Sequence, residues 1–132
     1  MPLHMPRAAA TDALRYLVNK AAPEDLVLRL FKNDMTPADN DTAASYDEAT
    51  FPGYRPVVLA GAQWSATDTR AQCAEQVFTR TEHGAVERVY GYYLTRAKSG
   101  RIAWAERFEQ AVPVANAGDV ITITPGISVR AL

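Results

Sequence analysis

Apolar and polar positions alternate most regularly in residues 86–108, VERVYGYYLTRAKSGRIAWAERF. Two runs rich in aromatic and β-branched residues flank residues 97–100, which have the composition of a tight turn. A period of two is typical of a strand whose side chains alternate between two faces. The segment therefore predicts a β-hairpin, and Gly91 between tyrosines predicts a bulge or a close approach of two backbones.

Shorter segments repeat this pattern along the rest of the chain. Residues 26–31, LVLRLF, are apolar on both faces, which predicts a strand that is central or covered on its second face. Residues 65–72 have the composition of a polar connection. Short strands separated by turn signals predict a mostly β, single-domain antiparallel β-sandwich or jelly-roll-like barrel. The remaining predicted strands are residues 56–61, 62–64, 74–80, 120–124 and 127–130.

One helical pattern precedes the strands. Its apolar residues recur at i, i+3, i+4 and i+7 and form a single stripe, which consists of Leu14, Leu17, Val18 and Ala21. Thr11 or Asp12 is the predicted cap, and Pro23 is the predicted end. Residues 1–23 are thus an N-terminal arm and helix, and residues 24–132 are the β-sandwich domain. Either the helix packs against its own sheet, or the N-terminal arm docks on a neighbouring subunit.

Composition and charge exclude several classes of protein. The chain has 132 residues, of which 48% are hydrophobic and 22% are charged, enough to form one packed domain. Its net charge is −1 and its arginines are scattered, so we expect neither a nucleic-acid partner nor a membrane surface. No apolar run approaches the roughly 18 residues of a membrane helix, and the N-terminal region lacks the apolar core of a signal peptide.

A long polar loop, residues 34–53, separates the first two strands. Loops of this length without regular structure are usually functional or mobile. Its Asp39-Asn40-Asp41 run lacks the glycine and the terminal glutamate of a calcium loop, so a solvated loop with local Asp and Asn hydrogen bonds is the better interpretation. His4, His83 and the lone Cys73 have no zinc-ligand spacing. We therefore expect no metal and no cofactor.

The catalytic inventory is also poor. No nucleophile elbow or phosphate-binding glycine motif is present. Glu106 with Glu109 or Glu87 offers a glycosidase-like carboxylate pair. The favoured role of Glu106, between Trp104 and Phe108, is instead a cross-strand pair with an arginine, the options being Arg96 and Arg88. No catalytic residue is predicted, and the chain is expected not to be an enzyme.

Three segments of the sequence resemble those of a known group of proteins. LVLRLFKNDMTPADNDTAASYDEATFPGY, VYGYYLTRAKSGRIAWAERF and NAGDVITITPGI follow one another across residues 26–127. In this order they resemble a group of small tailed-bacteriophage proteins found among virion structural genes. The resemblance implies a capsid decoration or cement protein that binds the major capsid protein and copies of itself, with a trimer suited to local capsid axes. It also implies synthesis in the host cytoplasm and a final location on the capsid surface.

The resemblance supplies no site residues, so the predicted interface rests on the pattern alone. It comprises the helix stripe and the aromatic residues of the long loop, namely Leu14, Leu17, Val18, Tyr46, Phe51 and Tyr54. The alternative is a tail or fibre component or a carbohydrate-binding module that contacts the host surface. That module would use Trp64 or the hairpin tyrosines as a stacking platform.

Overall fold

The computed structural model describes residues 3–129, which form one small, mostly β domain with an N-terminal helix, as the sequence predicts. Its sheets are antiparallel and pack together in a sandwich-like arrangement. The elements are β1 (Leu3–His4), α1 (Arg7–Leu17), β2 (Leu26–Phe31), β3 (Val57–Leu59), β4 (Trp64–Thr67), β5 (Arg70–Cys73), β6 (Gln76–Thr79), β7 (Glu87–Arg96), β8 (Ile102–Val114), β9 (Val120–Ile123) and β10 (Gly126–Ser128). The sheet orders are β1-β8-β7-β2-β3, β10-β5-β4 and β6-β9.

The predicted hairpin is the centre of the five-stranded sheet. β7 and β8 pair over most of their length, and the turn at residues 97–100 ends on Gly100, whose φ is +73°. The register shifts between Val89 and Gly91. A Cβ at Gly91 would collide with the Glu106 carbonyl oxygen and lie 2.6 Å from the Phe31 ring. Both predictions for Gly91, a bulge and a close backbone approach, are therefore confirmed.

β2 lies between β7 and β3, and the sheet is covered on both faces. One face packs against the two small sheets, and its core includes Leu28, Leu30, Leu94, Trp104, Cys73, Phe78, Ile121 and Ile123. The other face forms a second cluster, in which the long loop packs on the sheet. This cluster contains Phe31, Tyr46, Tyr93, Ile102 and Ala105. Because both faces of the sheet are covered, β2 carries apolar side chains on both of its faces, as predicted for a central strand.

The predicted ends of the helix are wrong. α1 begins at Arg7, directly after Pro6, so Thr11 and Asp12 lie inside it and cap nothing. Pro6 is the N-cap, with φ −61° and ψ 157°, and proline is tolerated there because an N-cap N–H has no acceptor within the helix. The helix ends at Leu17, and Asn19 takes a left-handed φ of 61°, well before Pro23. Ala9 and Asp12 form its buried side.

Residues 65–72 form no simple connection, because β4 and β5 make a second hairpin there. Its turn places Asp68 and Thr69 at positive φ. Both strands alternate, but over only four residues each and partly through the small side chains of Ala66 and Ala71, so the signal for a hairpin is weak. The predicted strand at residues 62–64 is mostly a 3₁₀ turn, Gly61–Gln63. In the last predicted strand, Arg130 lies outside the described residues.

Candidate functional site

The exposed face of α1 carries three large apolar side chains. Leu14, Leu17 and Val18 are 63%, 81% and 68% exposed. They lie three and four residues apart, so they form one continuous patch, which we call the α1 stripe. The prediction that the helix packs against its own sheet is confirmed, but the contact is made by the side with Ala9 and Asp12, and the stripe takes no part in it.

A buried ion-pair cluster holds α1 against the β7–β8 hairpin. Arg101 donates from Nε to Asp12 Oδ2 at 2.7 Å, and the Arg96 Nε lies 3.5 Å from the same oxygen. The Arg96 guanidinium also lies over the Tyr16 ring, 4.9 Å from its centroid. Burial alone would raise the pKa of Asp12. The hydrogen bonds and charges of Arg101 and Arg96 together lower it by more than burial raises it, so the net shift is downward. The helix is therefore fixed by charge on its inner side.

The loop aromatics hold the loop to the sheet. Tyr46 and Phe51 are almost fully buried, and Tyr46 stacks on Tyr93 with 4.7 Å between ring centroids. Half-buried Tyr54 donates its hydroxyl to Glu48 at 2.6 Å. Burial first, and this bond second, raise the pKa of Tyr54. The prediction of Tyr46 and Phe51 as interface residues needs correction, since their side chains leave no surface for a partner.

The acidic side chains of the loop have separate partners. Asp34 pairs with Arg107 at 2.7 Å, and Glu48 receives two hydrogen bonds from Arg29. Asp41 accepts from the Ala38 N–H, a local loop bond of the predicted kind. Within residues 3–129, no three His, Cys, Asp or Glu side chains come together as a ligand group.

The structure changes the role of Glu106. Neither Arg96 nor Arg88 pairs with it; the Tyr92 hydroxyl donates to its Oε1 at 2.8 Å. The predicted arginine pair is wrong because the register places Tyr92 opposite Glu106, and Arg88 and Arg96 each lie four residues from Tyr92 along β7.

Two of the three tyrosines of the predicted hairpin platform are buried, and the third, Tyr90, is half-buried with the Arg107 guanidinium 5.4 Å from its ring centroid. Tyr92 and Tyr93 are core residues, so their rings are closed to a sugar. Trp64 is half-buried and meets Trp104 edge-on, with 5.9 Å between ring centroids. Both tryptophans line a cavity of about 290 Å³. Cys73 is buried among apolar side chains, and burial raises the pKa of its thiol.

The sequence does not reveal that three charged residues, Asp12, Arg80 and Arg96, are buried. Asp12 has the residue type of a helix cap, and nothing near it in the chain points to a distant arginine. Arg80 is buried and donates to the carbonyl oxygens of Glu82, Ala85 and Val114 at 2.7, 3.1 and 2.9 Å, thereby organising residues 80–87. The only sequence signal for Arg80 is its position directly after the alternating strand β6.

The chain was compared with known proteins. A scan against protein-family models matches no family, and a search of the curated proteins finds no match. Among the described residues, no helix has the length and apolar character needed to cross a membrane.

Proposed function

We propose that this chain is a bacteriophage virion structural protein, a capsid decoration or cement protein whose α1 stripe binds the major capsid protein. The observation that carries the proposal is the exposure of Leu14, Leu17 and Val18 on a helix fixed from behind by Asp12. Contiguous exposed apolar side chains are typical of protein interaction sites. The resemblance in residues 26–127 supplies the virion context.

Energetics support an interface at the stripe. Burying one large aliphatic side chain contributes about 1.5–3 kcal/mol, so covering all of the stripe is worth about 5 kcal/mol before association costs. Arg7, Arg15 and Lys20 are exposed near the stripe. A suitable partner surface is thus an apolar groove with an acidic rim.

The experiment uses heads that lack this chain, prepared from the phage that encodes it. Wild-type protein is expected to co-sediment with these heads and to give density at fixed capsid positions by cryo-electron microscopy. Leu17→Glu should weaken co-sedimentation at least tenfold, about 1.4 kcal/mol or more. Val58→Glu places the same charge on the exposed side of β3 and should bind like wild type.

Two results would overturn the proposal. One is equal binding by wild type and Leu17→Glu. The other is density for the chain confined to the tail, which would favour the tail or fibre alternative.

A further inference from the structure

Glu106 is a carboxylate that the fold orients but does not neutralise. It lies on β8 opposite Tyr92, whose buried hydroxyl donates to its Oε1. No salt bridge in residues 3–129 includes Glu106, and its Oε2 accepts no hydrogen bond there. Its second oxygen therefore has acceptor capacity that the described part of the chain does not use.

Glu106 stands where two cavities meet. They have volumes of about 360 and 300 Å³, and both are lined by Tyr92, Glu106 and Thr124. The larger one follows β9 towards Phe108. The smaller one continues past β10 to Arg70, which forms no ion pair within the described part of the chain. Together they form what we call the Glu106 groove, which has the carboxylate at its junction, a guanidinium in one arm and an apolar wall in the other.

The groove's chemistry discriminates between ligand classes. A simple cation would meet Arg70, and a simple anion would meet Glu106, so neither charge suits the whole groove. A neutral polyhydroxyl compound suits both, because its hydroxyls donate to a carboxylate and accept from a guanidinium. Thr124 and Ser128 add further hydroxyls to the walls. Phe108 provides an apolar surface for the C–H face of a sugar ring.

We propose that the Glu106 groove binds a neutral oligosaccharide, with Glu106 and Arg70 holding hydroxyl groups and Phe108 lying against a ring. The ligand is bound and not cleaved. Glycoside hydrolysis uses two carboxylates, and Glu106 is the one carboxylate lining these two cavities. This site differs from the predicted platform at Trp64 and the hairpin tyrosines. It is also independent of the proposed capsid function, which uses the α1 stripe.

The test is isothermal titration calorimetry of the full chain against a fixed panel of neutral linear trisaccharides of glucose, galactose, mannose and N-acetylglucosamine. At least one member should bind with a Kd below about 1 mM, the range of weak specific complexes. Glu106→Gln keeps the side-chain size and should weaken that binding at least tenfold. Arg70→Gln should also weaken it at least tenfold, as expected for one charge-assisted hydrogen bond.

Glu109→Gln is the matched control, because Glu109 is an exposed carboxylate on the same strand. It should change affinity less than twofold. Thermal melting of each variant separates loss of binding from loss of folding, and Arg70, on the exposed hairpin, provides a second variant should Glu106→Gln unfold. The proposal fails if no panel member binds at millimolar concentration, or if binding survives both substitutions. Head binding by the α1 stripe is measured separately, so its failure is distinguishable from failure here.

Discussion

Replacing Asp12 by Asn tests whether charge fixes α1 to the sheet. Asn keeps the shape of the side chain and removes its negative charge. Arg96, with only 8% of its side chain exposed, would then lose the one ion pair that the described residues give it. Its Nε already lacks a hydrogen bond, and the nearby carboxylate of Glu24 forms no ion pair with it, because Glu24 accepts from the Lys98 and Ser99 N–H groups. The variant therefore leaves the buried guanidinium without an ion-pair partner among the described residues.

The expected loss follows from the burial of each partner. Breaking a fully buried pair by removing one member costs about 3–5 kcal/mol. Arg101 and Arg15 are half-exposed, so their bonds to Asp12 add about 0–1 kcal/mol each. We expect Asp12→Asn to lower the free energy of unfolding by about 3 kcal/mol. At roughly 3–5 °C per kcal/mol for a domain of this size, Tm should fall by about 10 °C.

Urea unfolding measures the global loss, and hydrogen exchange of the α1 amides measures local release of the helix. Asp47→Asn is the control, since Asp47 is exposed and its side chain makes no hydrogen bond in the described residues. A surface ion pair contributes less than about 1 kcal/mol. If Asp12→Asn changes the free energy of unfolding by less than that and leaves the exchange of the α1 amides unaltered, charge does not fix the helix.

The contribution of the Asp12–Arg96 pair to the free energy of unfolding depends on pH in a defined way. The folded-state pKa of Asp12 lies below its ordinary value of 3.8, so its contribution is fully present above that value. It is lost as the pH falls through the lower folded-state pKa. The stability difference between wild type and Asp12→Asn should therefore be constant from pH 5 to 8 and should shrink below about pH 4. A difference that persists unchanged at pH 2 would contradict this assignment.

Three further substitutions test the packing by chemical denaturation. Gly91→Ala should lower the free energy of unfolding by about 3 kcal/mol or prevent folding, because the added Cβ meets backbone and the Phe31 ring. Gly61→Ala is the control: a Cβ there meets open space, so the free energy of unfolding should change by less than about 0.5 kcal/mol. Wild-type stability of Gly91→Ala would refute the close approach. Arg80→Lys should cost about 2 kcal/mol, because one ammonium cannot replace donors to three carbonyls; equal stability would show that the guanidinium fork is dispensable. Tyr54→Phe should cost about 1–2 kcal/mol, since it removes the acceptor of the Leu30 N–H and the donor to Glu48, and an unchanged midpoint would exclude that role.

The sequence is informative wherever burial imposes a period on it. β2, β7 and β8 are covered on at least one face over most of their length, so their alternation and the glycine at position 91 correctly predict the central hairpin. The β4–β5 hairpin is exposed at its tip, residues 65–70, and its four-residue strands alternate partly through alanines, so the period is weak there. Its turn depends on Asp68 and Thr69 at positive φ, a conformation for which Thr gives no sequence signal.

The buried polar contacts could not be predicted, because their partners are distant in the chain. Asp12 and Arg101 are separated by 89 positions, and only the completed sheet brings them together. Glu106 shows a related limit: alternation predicts its face, but its partner depends on the register, which places Tyr92 opposite it and both Arg88 and Arg96 four residues away along β7. The shift of register beside Gly91 sets that pairing, and its size cannot be read from the sequence.

α1 reverses the arrangement of an ordinary surface helix, with a carboxylate inside and the α1 stripe outside. An isolated domain gains nothing from exposing Leu14, Leu17 and Val18, because the same residues facing the sheet would add apolar burial. The buried charge fixes the rotation of the helix about its axis, since turning the stripe inward would leave both Asp12 and Arg96 unpaired. The ion pair thus makes the outward direction of the stripe the stable one. Asp12→Asn should consequently weaken head binding although it leaves every stripe residue intact, whereas Asp47→Asn should not.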